Sequence, residues 1–598
     1  MTTLPPFTES LPRRLYDRLA QWVDHRIGWD KLPTPAGLLV LIGLRDILRR
    51  KNLYDTNDGP GTPAPFDSAY LTARTADGSY NDLGEPAMGM AGRRFGRNVP
   101  PDKAVPETGT RMTPNPREVS RRLLTRTTFQ PATSLNLLAA TWIQFMVKDW
   151  FSHGQGDMNR AYDLPLDATD PWPEEGRPLL VPATVPDPDN PRTTININTP
   201  WWDGSSIYGD SAAQQKAIRA DGGTGAKLNV SPSGVVVLPD DPSLDPSLVP
   251  GFWVGLAMMG SLFSAEHNAV VDALARAYPD WDDEELFQRA RLVVTALIAK
   301  IHTVQWTPAI IAHPTTVAAL RANWYGVAGQ RIRDTFGRVS SNEGISGIVG
   351  GEHDHYGVPY SLTEEFSIVY RMHPLIPDDY AIRHWADDER IAQHTLREFS
   401  GPAGKELLGK IAMTDLLYSF GTSNPGALVL HNFPRFLQEF IRSDGRYTDL
   451  AATDMLRTRE LGVPRYNQFR RFLHLKPAAS FAELTDDPDT QQTLRDLYGD
   501  VENVDTIVGM FAEKRPQGFG FSDTAFRIFI LMASRRLNSD RFFTEYFTPE
   551  VYSEVGYRWV VENDFTTVLL RHYPQLRSSL AGVKNPFAPW RSAGARPS

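Results

Sequence analysis

The stretch Glu365-Phe-Ser-Ile-Val-Tyr370-Arg371-Met372-His373-Pro374 sets a phenol and an imidazole three residues apart. On a helix such a pair shares a face. The imidazole can then ligate a haem iron while the phenol, one turn earlier, exchanges an electron with it. Taken alone, the pattern is met more often in a core tyrosine beside a hydrogen-bonded histidine. A second stretch, Thr199-Pro-Trp201-Trp-Asp203-Gly-Ser205-Ser-Ile-Tyr208-Gly209, collects oxygens from the Thr199, Asp203 and Ser205 side chains and the Trp201 carbonyl. A hard cation such as calcium takes about six to eight oxygen ligands, and Asp149, in Gln144-Phe-Met-Val-Lys148-Asp149-Trp150, can complete the shell from outside. A surface turn capped by Asp and Ser accounts for the same residues. A third stretch, Gly351-Glu-His353-Asp-His355-Tyr356, alternates donors that suit a transition metal. In a loop rich in Gly and Asp it reads first as a solvated turn.

These groups need a scaffold, and the composition says which kinds are excluded. Of 598 residues 41 % are hydrophobic and 22 % charged, so the chain is not disordered, collagen-like or polytopic in a membrane. The net charge of -9, with no basic face or arm, gives no reason to expect nucleic acid. Cysteine is absent. That excludes disulfides, iron–sulfur clusters and thiol nucleophiles, leaves any metal centre to His, Asp, Glu or a cofactor, and favours a reducing, cytoplasmic setting.

Apolar residues at three- and four-residue spacing predict helices over Leu135 to Phe151, Phe252 to Tyr278, Leu286 to Thr303, Lys405 to Phe420 and Thr524 to Leu537. Strand-like alternation is short, as in Gly234 to Leu238. Proline and glycine gather in connectors at Tyr54 to Phe66, Leu164 to Arg192 and Pro239 to Pro250. With no repeat and no compositional break, the expectation is one large, mainly α-helical domain over 51–581. It is preceded by an amphipathic segment over 1–50 and followed by a tail over 582–598. The N-terminus lacks the basic start and apolar run of a secretory signal. The apolar run Pro35 to Arg45 is too short to cross about 30 Å of hydrocarbon. Flanked by Arg14, Arg18 and Arg45 to Lys51, the segment packs on the body or lies on a lipid surface.

The segments together carry a resemblance. Asn52-Leu-Tyr-Asp-Thr-Asn57, Leu71-Thr-Ala-Arg-Thr-Ala-Asp-Gly-Ser-Tyr-Asn81 and Arg94-Phe-Gly-Arg-Asn-Val-Pro100 precede the calcium-type turn. Glu266-His-Asn268, Ile301-His-Thr-Val-Gln-Trp-Thr307, Tyr370-Arg-Met-His373, Gly426-Ala-Leu-Val-Leu430 and Met532-Ala-Ser-Arg-Arg-Leu537 follow it. In this order the chain resembles the fatty-acid α-dioxygenases of the animal haem peroxidase and cyclooxygenase superfamily, almost from end to end. The resemblance implies a haem-peroxidase-like helical fold holding a non-covalent haem b between the Gln144–Asp149 and Tyr370–His373 segments. His373 matches the proximal haem ligand and Tyr370 the radical-forming tyrosine. Asp149, Thr199, Trp201, Asp203 and Ser205 match a calcium site. His302, Thr307 and Arg536 match the groups that hold the fatty-acid carboxylate, a task suited to arginine's planar fork. Arg535 and Arg541 are its neighbours and competitors. His302 and Thr307, five apart, share a face only if the helix ends near Trp306, as Pro308 permits. Glu266-His267-Asn268 reads as structural.

The implied reaction adds dioxygen at C2 of a long-chain fatty acid, after a peroxide activator, to give a 2-hydroperoxy acid. A monomer is expected, with peripheral membrane contact open. One departure stands out: Lys148 occupies the place of the distal histidine, while Gln144 one turn earlier is retained. An ammonium donates a proton but accepts one only once it has lost its own, which burial eases. Lys148 therefore reads as a slower acid, as an iron ligand, or as the mark of a protein without peroxide activation. Leu248-Val-Pro-Gly-Phe-Trp253 also lacks the Arg-x-x-Glu of animal peroxidases, so neither fast peroxide heterolysis nor an ester bond to haem is expected. The alternatives are a peroxidase-like enzyme for small donors and a non-catalytic haem- or lipid-binding descendant.

Overall fold

The computed structural model describes residues 11–56, 61–190, 192–238, 241, 251–442 and 445–594. Asn57, most of the Pro239–Pro250 connector and Leu248 to Pro250 lie outside them. The chain is mainly helical, and among the described residues the β-strands form four two-stranded antiparallel sheets, with a few isolated bridges besides. The elements that matter below are α1 (Leu11–Arg26), α2 (Thr34–Lys51), α3 (Leu137–Trp150), α4 (Val254–Ala277), α5 (Asp283–Ile301), α6 (Glu364–Val369), α7 (Leu450–Glu460) and α8 (Asp523–Asn538).

Local chemistry sets their ends. Asp282 and Ser522 cap α5 and α8 by accepting hydrogen bonds from the Glu285 and Ala525 amides. Thr363 caps α6 in the same way. Helices α3, α4 and α5 are apolar on most of their circumference and run through the centre of one continuous core. Two small satellites flank it, around Trp172 with Leu456 and around Trp201 with Tyr360.

Some expectations change in the structure. The helix expected over Lys405 to Phe420 is two, Gly401–Leu408 and Met413–Thr422, broken after Gly409, a weak helix former. Gly234 to Leu238 makes one isolated bridge, Val236 to Val230, after Gly234 turns the chain at φ 80°. The stretch expected as a tail is tucked into the body as far as it is described. Phe587 is fully buried against Trp142 and Phe565, and Asn136 donates to the Pro586 and Ala588 carbonyls. No helix among the described residues is long and apolar enough to cross a membrane.

Candidate functional site

Tyr370 and His373 do not share one helix. Pro374 disfavours helical geometry at His373 and cannot donate, so α6 stops at Val369 and His373 opens a separate short turn. The two side chains part. Tyr370 is buried among Trp150, Phe366 and Phe529, with ring centroids 5.8, 4.4 and 5.4 Å away. Its hydroxyl has no hydrogen-bond partner among the described residues, and burial holds its pKa far above the usual phenol value. His373 Nδ1 lies 3.0 Å from an Asp454 carboxylate oxygen on α7, somewhat out of line for a hydrogen bond. A carboxylate on one imidazole nitrogen orients the ring and leaves the other nitrogen to a metal.

Beside Tyr370 lies a buried cation. Arg536 is 1 % exposed and lies between Trp150 and Trp202, its guanidinium carbon 3.7 and 4.3 Å from their ring centroids. Nε donates to the Tyr360 hydroxyl and one Nη to the Pro200 carbonyl. No carboxylate pairs with it among the described residues. A buried charge without a counterion is expensive, so this fork is set to receive an anion. Arg535 and Arg541 are spent on main-chain carbonyls: Val358 and Pro359 for the first, Leu71 and Tyr80 for the second.

His302 borders the same arginine. Its ring stands edge-on to Trp150 and Trp202, 5.3 and 5.2 Å away. Burial first and the Arg536 charge second push its pKa far below the ordinary histidine value, so it is neutral. Trp142 Nε1 donates to His302 Nδ1 at 3.2 Å, which leaves the ring hydrogen on Nε2 as a donor. The helix does not end at Trp306. It makes a π turn over His302–Trp306, and the Thr307 amide reaches back five residues to the His302 carbonyl before the helix resumes. Pro308 cannot extend the regular ladder, and the widened turn brings residues five apart into line. Thr307 Oγ1 donates to that same carbonyl at 2.8 Å.

On α3, Gln144, Val147 and Lys148 are the residues that are not buried, so one stripe of an enclosed helix faces open space. Gln144 donates to the Gly251 carbonyl at 3.1 Å. Lys148 lines a cavity of about 230 Å³ with Phe145, Phe252 and Leu256, and burial lowers its pKa. An open imidazole at His373, with 29 % of its side chain accessible, and this open stripe suit a haem. His153 faces away, paired with Glu364 at 2.8 Å and stacked on Phe95.

Directly behind Lys148 the calcium-type residues do meet. Asp149 accepts from Ser205 Oγ at 3.2 Å and the Ser206 amide at 2.8 Å. Asp203 accepts from Thr199 Oγ1 at 2.5 Å, and Trp201 is buried between them in sequence. Both carboxyls are fully enclosed. Desolvation, and for Asp149 the neighbouring Asp203 charge, raise their pKa values. Arg291 stands no nearer than 4.0 Å to Asp203, so this all-oxygen cluster lacks close neutralisation. Glu266 binds Trp559, Arg571 and His572, and Asn268 bridges Leu228, so both hold elements together. Sequence reasoning missed Trp150, Trp202, Trp142 and Asp454. Trp150 and Trp202 stand inside the quoted motifs; Asp454 gives no signal at all.

Residues 73–583 match the animal haem peroxidase family. Alpha-dioxygenase 1 of Arabidopsis thaliana is 37 % identical over 98 % of this chain and 93 % of its own length. The crystal structure of Oryza sativa fatty acid alpha-dioxygenase superposes with a TM-score of 0.89 at 36 % identity, over 98 % of each chain. A Tyr-to-Phe variant of that protein, solved with palmitic acid, superposes equally well, with a TM-score of 0.89, 36 % identity and 98 % of each chain covered.

Proposed function

The chain belongs to the animal haem peroxidase family, among its alpha-dioxygenases, and from that premise we propose that Tyr370, Arg536 and His302 are the residues with which it oxygenates a fatty acid. It is an oxidoreductase that adds dioxygen to the carbon next to the carboxylate, giving a 2-hydroperoxy acid. The observation that carries the residue assignment is the buried, carboxylate-free Arg536 beside neutral His302 and Tyr370.

The substrate carboxylate is held by the free Nη of Arg536 and by His302 Nε2–H. Thr307 joins them when its hydroxyl turns from the His302 carbonyl. The acyl chain continues into a narrow apolar cavity of about 100 Å³ lined by Leu41, Ile311, Phe526, Phe529 and Ile530, since Phe529 also touches Tyr370. His373, oriented by Asp454, would hold haem b without a covalent bond. The chemistry that group supplies when bound is one-electron oxidation driven by peroxide.

Burial makes charge separation at Tyr370 costly, so the residue moves between two neutral forms, phenol and phenoxyl radical. The radical oxygen takes a hydrogen atom from C2 and becomes phenol. Dioxygen adds to the carbon radical, and the peroxyl takes a hydrogen atom back from Tyr370. The net change is one fatty acid plus one dioxygen to one hydroperoxide, with the radical regenerated. Fixing the head group selects C2, an orientation effect.

Gln144 and Lys148 donate hydrogen bonds to the activating peroxide. The test is oxygen uptake by haem-loaded protein given palmitate and a trace of peroxide, with Lys148→His run alongside. Uptake with 2-hydroperoxide formation is expected from both. A positioned acid or base is worth about 10²–10⁴-fold, so Lys148→His should shorten the activation lag at least tenfold. An intact haem spectrum with no uptake by either protein would sink the reading.

Asp149, Thr199, the Trp201 carbonyl, Asp203 and Ser205 hold calcium in this reading, because the ion neutralises two enclosed carboxylates. Calcium at about 100 times its dissociation constant stabilises a fold by roughly 2.7 kcal/mol. For a chain of this length that is about 2 °C in Tm, from an unfolding entropy near 2.1 cal/mol/K per residue. A chelator should lower Tm by that amount and added calcium restore it, with no response in Asp203→Asn. Equal responses in both proteins would refute the site.

The N-terminal helix supports a lipid contact. Leu11, Leu15, Leu19 and Trp22 are 56–70 % exposed along one face of α1, with exposed Arg14, Arg18 and Arg26 alongside. Leu38 and Leu41 of α2 line the apolar cavity, so lipid would be met at its approach. Co-sedimentation with phosphatidylserine vesicles is expected, and Leu15→Glu with Leu19→Glu should abolish it; absence of binding by the native chain rejects the contact.

A further inference from the structure

The loop at Gly351 to Tyr356 meets a residue that no local pattern pairs with it. Asp82, 273 positions before His355, accepts a 2.7 Å hydrogen bond from or shares one with His355 Nε2. The other carboxylate oxygen of Asp82 is fixed by the Gly84 and Glu85 amides at 2.7 Å each. His353 Nδ1 lies 3.1 Å from Glu545. Glu545 on Nδ1 orients the His353 ring and leaves its Nε2 to a ligand, while Asp82 and His355 Nε2 already face each other as two donors that one cation can share. His355 is only 4 % exposed, and its Nδ1, on the far edge of the ring from Asp82, is enclosed without a partner. One ligand atom from each of Asp82, His353 and His355 lies within 4.8 Å of the others.

We propose that Asp82, His353 and His355 bind one divalent transition-metal ion of the zinc class. Two imidazoles and one carboxylate are a donor set for such an ion, not for calcium or magnesium, which prefer oxygen alone. Bonds of about 2.0–2.2 Å at the tetrahedral angle put two ligand atoms about 3.3–3.6 Å apart, so from within 4.8 Å the widest pair closes by at most roughly an ångström and a half. With no thiol in the chain, a nitrogen and oxygen site of this type is the strongest zinc-class site the described residues offer.

The ion would act as a clip. Asp354 N donates to the Asn538 carbonyl and Ser539 Oγ to the Asp354 carbonyl, so the histidine loop rests on the C-terminal end of α8. Asn81 donates to Asp540 from the other side. A metal shared by Asp82, His353 and His355 joins these two loops across the end of the helix that carries Arg536. It touches neither haem nor substrate groups, so it stands or falls apart from the oxygenase assignment.

The experiment uses protein loaded with haem and calcium, cleared of other metals, and titrated with zinc chloride by calorimetry in excess calcium. One zinc per chain is expected, with a dissociation constant of about 1 µM or below. His353→Gln should weaken binding at least tenfold, about 1.4 kcal/mol. Its side chain is 41 % exposed, so the fold survives the change. Cobalt(II) in place of zinc should give visible ligand-field bands in the native protein that disappear in His353→Gln. No zinc uptake at about 100 µM, or an affinity unchanged from the native protein in both His353→Gln and His355→Gln, overturns the site.

Discussion

Tyr370→Phe is expected to lower palmitate-dependent oxygen uptake by at least about a thousandfold, roughly 4 kcal/mol in barrier, while the haem spectrum is unchanged. The substitution removes the O–H bond that passes a hydrogen atom to and from C2 in the proposed reaction. It should disturb little else. The Tyr370 ring packs by its faces and edges against Trp150, Phe366 and Phe529, contacts that a phenylalanine repeats. Its hydroxyl makes no hydrogen bond to the described residues, so its loss leaves no buried donor or acceptor orphaned. Thermal melting should therefore match the native protein while the peroxide-induced tyrosyl signal in electron paramagnetic resonance disappears. Burial raises the Tyr370 pKa, so the phenol stays protonated throughout the working range and ionises only above the usual value near 10. Oxygenation should accordingly show no falling limb through pH 10 on this residue's account. Retained oxygenation in Tyr370→Phe would remove the radical mechanism.

How much of this was legible in the sequence depends on how local each feature is. The long core helices announce themselves because their apolar spacing repeats over four or more turns, and α3, α4 and α8 start within two residues of expectation. The family was legible because many short segments keep their order. Places where the chain breaks its regular period were harder. The Tyr370–His373 spacing suggests one helical face, but Pro374 splits it, and the two side chains serve different neighbours. The five-residue gap from His302 to Thr307 suggests a helix end, whereas a π turn absorbs it and lets the helix go on. Partners from distant segments were invisible. Asp454 lies 81 positions from His373, with no pattern linking them, and Asp82 meets His355 only through the fold. Two tryptophans, Trp150 and Trp202, were on view inside recognised motifs, yet their shared role around Arg536 is a three-dimensional fact.

Arg536→Leu should reduce kcat/KM for palmitate by about 10²–10⁴-fold, because removing one member of a buried charge pair costs roughly 3–5 kcal/mol. The reasoning starts from the free protein. A guanidinium between two indoles, with one hydroxyl and one carbonyl as its partners among the described residues, keeps unused donor capacity, and Asp149 acts on it only from beyond ion-pair distance. A fatty-acid carboxylate supplies both charge and acceptors, and His302 Nε2–H adds a neutral donor next to it. Leucine fills the volume without the charge, so head-group binding and placement of C2 fail together. Arg536→Lys restores a point charge but not the fork, and should recover only part of the loss. A merely structural role for Arg536 would predict equal damage for every substrate. The carboxylate role predicts a difference: the native enzyme should reject methyl palmitate strongly, and Arg536→Leu should hardly tell acid from ester. If the variant loses activity yet still prefers the free acid as the native enzyme does, the anion is held elsewhere, and the clamp of Arg536 and His302 is wrong.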